Sequence, residues 1–331
     1  MTKQRFVFSL LFGLILLLAP AAATLAQQPA VTDDEVKVNT YKRFVDNRVP
    51  NPAAAYEAAK DYMARYGRED DQYTKYLKVW IAAWEEDERI RKAAADREDR
   101  QDRLLQAISQ KKFADAYAQS KQVLADDSNN VKVLIALGYS AFIASTESRN
   151  EAFNAEAANH AQKAIELIES GRAPDSWAPF KSKEDVLASL NYALGFYGLK
   201  TQPEASITRF INAAHIEGDR KTAPSTYYYL ALAYQNGPYK RLSEDYSKRF
   251  GNQAETPESK AALEKINAVL DRIIDAYARA VSLAGAQPQH QAAKAQWMAR
   301  LTELYKFRHE NSDAGLNEFI AGVVSKPLPT P

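Results

Sequence analysis

From about residue 52 onward, apolar residues recur at helical spacing in short bursts, and each burst ends in a cluster of helix breakers. The clearest case runs from FADAYAQSKQVLADDSNN (113–130) into VKVLIALGYSAF (131–142). Ala116 and Val123 share one helical face, Asp127-Ser128-Asn129-Asn130 interrupts it, and the next helix presents Leu134, Leu137 and Gly138. Period-two alternation and Asn-Gly hairpin signals are essentially missing, so strands have little to form from. Glycine (12) and proline (14) are scarce in 331 residues, while Ala, Glu, Lys, Gln and Leu, which lose little entropy in a helix, are abundant. The expected fold class is all-α, either as roughly two domains or as one elongated array.

The unit above has the spacing of a helix–turn–helix repeat. Leu134, Leu137-Gly138 and Ala141 fall at the Trp, Leu-Gly and Tyr places of a W-x2-L-G-x2-Y pattern. Ala116 and Ser120 fall at the Ala and Phe places before them, and Ser128 stands where a proline would close the turn. The frame recurs. Ala55 and Tyr62 precede Tyr73, Tyr76-Leu77 and Trp80; Leu194-Gly195 precedes Ser206, Phe210 and Ala213. Tyr227, Leu230-Ala231 and Tyr234 precede Tyr277 and Ala280; Met298, Leu301 and Tyr305 precede Gly315, Phe319 and Gly322. On these residues the chain resembles the tetratricopeptide-repeat family over most of 52–325. The resemblance implies a right-handed superhelical array of antiparallel helix hairpins, an α-solenoid, in which small residues admit close helix approach and larger ones fill the gaps.

Capping signals agree with this frame: Thr201-x-x-Glu204, Ser182-x-x-Asp185, and Thr256-Pro257 as N-cap and first helical residue. Residues 41–110 are expected to form N-terminal hairpins with a long charged helix, and 111–325 the repeat array. Turn-rich insertions interrupt the array at 171–183 and 235–258. The second insertion interleaves Tyr239, Lys240, Arg241, Tyr246, Lys248, Arg249 and Phe250 with Glu244, Asp245 and Glu255, and is expected to be a plain extra helix or loop. Residues 27–40 are expected to be a disordered linker and 326–331 a disordered tail.

Residues 1–26 have a basic start, an apolar run from Phe6 to Leu18, then Pro20 and small residues up to Ala26. This is the pattern of a secretory signal cleaved after Ala26; the other reading is a retained anchor, since Phe6–Ala26 just suffices to span a bilayer. The chain is therefore expected outside the cytoplasm, periplasmic or secreted, with membrane contact if the segment is retained. The formal charge is +1, and Lys3 and Arg5 belong to the leader. The mature chain is close to neutral, which gives no electrostatic case for nucleic acid. There is no cysteine, so disulfides and thiol chemistry are excluded.

Residues 84–103 hold opposite charges four apart (Glu85–Arg89, Asp87–Arg91, Glu88–Lys92, Asp96–Arg100, Asp99–Arg103) and read as a solvated helix. His160, His215, His290 and His309 have no metal-ligand spacing, and no nucleophile or phosphate-loop motif is present. No cofactor and no catalysis are expected. In the tetratricopeptide family, first-helix residues flanking the core places line a concave peptide-binding face. Carried onto this chain, that frame places Tyr139, Phe142, Tyr192, Phe196, Tyr228 and Tyr229 along an aromatic trough, with Arg300 at one end. Such a trough suits a protein or peptide partner, because aromatic side chains bury large area at modest entropy cost; the same rings could instead pack against insertions or the next hairpin. The resemblance and the leader together imply a non-catalytic interaction scaffold of the bacterial cell envelope. A membrane-anchored assembly factor and a periplasmic or carbohydrate-acting enzyme are the other readings.

Overall fold

The computed structural model describes residues 32–285 and 288–329; the leader lies outside the described residues. These form helices, with no strand among them, and no described helix is long and apolar enough to cross a membrane. The chain divides into two units, one ending at Lys92 and the other starting at Ala93.

The first unit holds α1 (Asp33–Asn47), α2 (Pro52–Tyr66) and the start of α3 (Gln72–Ser109). Helix α1 corrects the expected linker, because residues 33–40 are helical. Glu35 N–H donates to Thr32 Oγ1 at 3.3 Å, and Thr32 N–H donates to Glu35 Oε2 at 3.0 Å. This capping box satisfies two terminal amides that the polar run DDEVKV otherwise leaves to water. Phe44 then anchors the helix against Ala55, Ala58, Ala59, Tyr62 and Leu77. Asn51 caps α2, with Pro52 in its first turn. On the first-unit part of α3 the buried residues are Thr74 and Leu77, while Tyr73 and Tyr76 are exposed. The expected frame is thus one residue out of step here, because α1 and α2 cover the Thr74–Leu77 face.

The charged stretch of α3 is exposed along most of its length, as expected, but its partners differ. Arg103 joins Asp99 as the four-residue spacing suggests, whereas Arg89 takes Glu86 and Arg91 takes Glu88, three residues back. Glu85 instead accepts from Tyr56 Oη at 2.7 Å.

The second unit continues with α4 (Phe113–Asp126), α5 (Val131–Ser148), α6 (Asn154–Glu169), α7 (Lys183–Gly198) and α8 (Pro203–His215). A four-residue α9 (Asp219–Thr222) leads to α10 (Pro224–Tyr234), a π-helical turn (Gln235–Tyr239) and α11 (Lys240–Phe250). Then come α12 (Pro257–Ala284), α13 (Gln291–Arg308) and α14 (Leu316–Gly322). Helices pack in close pairs, α5 on α6, α7 on α8 and, across the inserted α11, α10 on α12, while α6 also packs on α7, α8 on α10 and α12 on α13. Gly138 shows why the first pair is close. A Cβ there would stand 2.7 Å from the Ala161 Cα, so only hydrogen lets the two backbones meet. Gly195 faces the Phe210 ring in the same manner, with a would-be Cβ 2.8 Å from it.

Ser182 and Thr256 cap α7 and α12 as read from the sequence. At α8 the first helical residue is Pro203 and Gln202 precedes it, so the Thr201 cap does not form. The 235–258 insertion starts as the π-helical turn, with Gly237 buried, and continues as an added helix, α11, which has no buried residue and is tied to α8 by Arg241 and Glu204 at 2.8 Å. The expected disordered tail is held in part. Arg279, 4% exposed, is paired with Asp275 at 2.6 Å and donates from Nη2 to the carbonyls of Lys326 (3.0 Å) and Pro327 (2.9 Å). Leu328 packs on the core beside them.

Candidate functional site

Helices α5, α7 and α10 bring their aromatic residues flank to flank. Phe142 on α5 meets Tyr192 and Phe196 on α7, each with ring centroids 5.2 Å apart and nearly perpendicular. Tyr229 on α10 meets Phe196 at 5.4 Å and Tyr192 at 5.9 Å. Next to it Tyr228 stacks on Trp297 of α13 at 5.2 Å. At the opposite end Tyr139 lies 5.5 Å from Phe142 and 5.4 Å from Phe180 of the 171–183 connection. Edge-to-face pairs of this kind contribute about 0.5–1.5 kcal/mol each beyond the area they bury.

Five of the expected trough residues, Tyr139, Phe142, Phe196, Tyr228 and Tyr229, are half-buried members of this row. Tyr192 is a correction: at 1% exposure it is core, not lining, because Phe142, Phe210, Tyr229 and Arg220 enclose its ring. Arg300 stands apart from the Tyr139 end, on α13, where it pairs with Glu303 at 2.7 Å. On α13 Leu301 and Tyr305 are core as expected, and only the first place of the frame moves. Trp297, not Met298, is buried with Leu301 and Tyr305, which leaves Ala299 and Glu303 on the surface.

Arg220 of α9 is a residue that the repeat pattern does not contain. Its guanidinium carbon lies 4.1 Å from the Tyr192 ring centre, 5.6 Å from Phe142 and 5.7 Å from Tyr139, and Nη2 donates to Tyr139 Oη. Stacking on rings in a partly dry site strengthens each cation–π contact. Among the described residues it forms no ion pair. Asp185, at the first turn of α7, fixes the loop that carries it: Oδ2 accepts from Lys181 N–H at 3.1 Å and Oδ1 from Asp219 N–H at 3.4 Å. Lys181 Nζ in turn holds Asp219 at 2.6 Å.

These groups border a cavity of about 480 Å³ lined by Ile108 of α3, Ala136, Tyr139 and Ile143 of α5, Ser189 of α7, Phe180 and Arg220. Burial pushes the phenols of Tyr139, Tyr192 and Tyr229 up from their ordinary value, so they stay neutral donors at any physiological pH. No group of three or more His, Asp or Glu side chains among the described residues is placed to hold a metal ion.

The half-buried aromatics were legible because they fall at fixed offsets from the core places. Phe180 and Arg220 were not, because both sit in connections whose sequence carries no helical period. No family model matches the chain, and no curated protein or solved structure shows significant similarity to it.

Proposed function

We propose that the chain is a non-catalytic binding scaffold of the bacterial envelope, built as a tetratricopeptide-like array, that takes a peptide or protein segment into the cavity beside Tyr139. The carrying observation is that α5 and α7, alternate helices of the array, and the end of α3 just before it contribute side chains to one cavity of about 480 Å³. A recurring helix face that opens into a common space is how stacked hairpins recognise extended segments. The aromatic row is largely satisfied by its own chain, through Phe180, Arg220 and Trp297. Recognition is therefore concentrated at the Tyr139 end, where apolar walls from Ile108, Ile143 and Phe180 meet the polar edge of Arg220. The leader pattern supports export, and the mass of the mature N-terminus tests cleavage after Ala26.

A photo-crosslinking residue placed at Ala136, on the cavity wall, is expected to give discrete adducts in native envelopes, and the same residue at the exposed Ala292 none. Ala136→Tyr, which fills the cavity, should retain the melting temperature within a few degrees and abolish those adducts from a second reporter at Ile143. Identical adducts from positions 136 and 292 would sink the reading.

A further inference from the structure

The first unit carries an apolar face that the groove reading leaves unused. Val38, Val45 and Val49 recur along α1 and its end at spacings of seven and four, so they share one stripe. Val49 is 81% exposed and Val45 45%. Along the start of α3, Tyr73, Tyr76 and Val79 form a second exposed stripe, with Val79 at 72%. The stripes adjoin, since Tyr41 of α1 meets Tyr73 at 4.5 Å and Phe44 meets Trp80 at 4.9 Å and Tyr76 at 6.0 Å. Trp84 extends the second stripe, stacked on Trp80 at 5.7 Å. Water gains nothing from such a surface, and contiguous exposed apolar area of this sort marks a contact.

We propose that this α1–α3 face docks on a lipid bilayer surface. Tyrosine and tryptophan beside valine, rimmed by basic groups, is the composition that settles at headgroup level, where a ring buries its body and keeps its polar atom wet. The rim is suited to anionic headgroups. Lys42 and Asp46 neutralise one another, as do Lys75 and Asp70. Arg48 donates to Tyr76 Oη at 2.8 Å and, with Lys78, has no carboxylate partner among the described residues. Asp34, one turn ahead of Val38, bounds the face at its N-terminal end. Where the leader is retained as an anchor, or before it is cleaved, the chain itself holds this face near a membrane. Phe6–Ala26 is the apolar stretch of the leader, and only six residues separate it from α1. Fully extended, those six reach at most about 20 Å. A second copy of the chain, or the stretch Phe6–Leu18 folded back, would cover the same valines without lipid, and the experiment separates these outcomes.

The chain has no cysteine, so single thiols report one site each. Val45→Cys, Val79→Cys and Val324→Cys, all at exposed positions, are labelled in the full-length chain with an environment-sensitive fluorophore. Each is mixed with phosphatidylethanolamine–phosphatidylglycerol vesicles, with and without spin-labelled lipid. Expected are a blue shift at positions 45 and 79 on vesicle addition and loss of emission with the quencher lipid, with neither at 324. Equal quenching at 324 overturns the proposal, as does no response at 45 and 79. A blue shift without vesicles also overturns it; one that grows with protein concentration assigns the face to a second copy, and one independent of concentration assigns it to the chain's own apolar stretch.

Discussion

The two units use the same aromatic residue types to opposite ends. In the first, Tyr73, Tyr76, Trp80 and Trp84 line up along one helix and stay wholly or partly open to solvent. In the second, Tyr192, Phe196, Tyr229 and Trp297 come from different helices and close on one another. An aromatic stripe on a single helix becomes core only when a following helix is laid against it. In the second unit that condition is met repeatedly, and Tyr192 shows the result, a ring projected as lining that ended as core.

The contrast should be largest when a ring is removed from each side of it. Tyr192→Ala is expected to cost about 3–5 kcal/mol, the usual range for emptying a large buried aromatic site. Tyr76→Ala, at 41% exposure, should cost well under that, about 1 kcal/mol or less. Denaturant midpoints of the two variants check this, and equal losses would erase the distinction between the units.

A smaller effect tests why the second unit can close. Gly138→Ala must push a methyl into the Ala161 backbone, which cannot rotate away, and should cost about 1–3 kcal/mol. Gly322→Ala meets nothing within 4 Å and should be neutral or slightly stabilising in the same melts. Gly138→Ala without loss would mean that the α5–α6 approach is not what sets the pair.

The smallest expected difference concerns charge. In the first unit Lys37 joins Asp71 at 2.6 Å and also pairs with Glu69. Hydrogen bonds from Lys37 and from the Thr74 amide hold the Asp71 carboxyl well below its ordinary value. A depressed native value means that this contribution is fully present above the unfolded value, about 3.9, and is lost as pH falls below it toward the native one. Asp71→Asn should therefore flatten the acid limb of unfolding followed by a probe in the first unit and leave a probe in the second unchanged. An acid limb identical to wild type would refute that assignment.

Much of the helical organisation could be read directly. The breaks at Asp127–Asn130, the caps at Ser182 and Thr256 and the close approach at Gly138 and Gly195 all follow from local chemistry. So did the burial of Tyr227 and Tyr234. Register was harder. It slipped by one residue at Tyr73–Leu77, and on α13 Trp297 took the place expected for Met298, because the pattern offers adjacent large apolar residues and propensity does not choose between them. The first half of α1, residues 33–40, was missed for a related reason: a polar stretch whose one buried residue is Thr40 looks like a linker until a neighbouring helix packs on it.

Local sequence alone determined that this chain is helical and where most helices break, since caps, breakers and small residues act within a few positions of themselves. Only the tertiary structure decided which aromatics are core, which border the cavity and which remain exposed. Burial belongs to the pair of surfaces that meet, and Arg220, Phe180 and Trp297 reach the Tyr139–Tyr229 row from segments whose own periodicity says nothing about it.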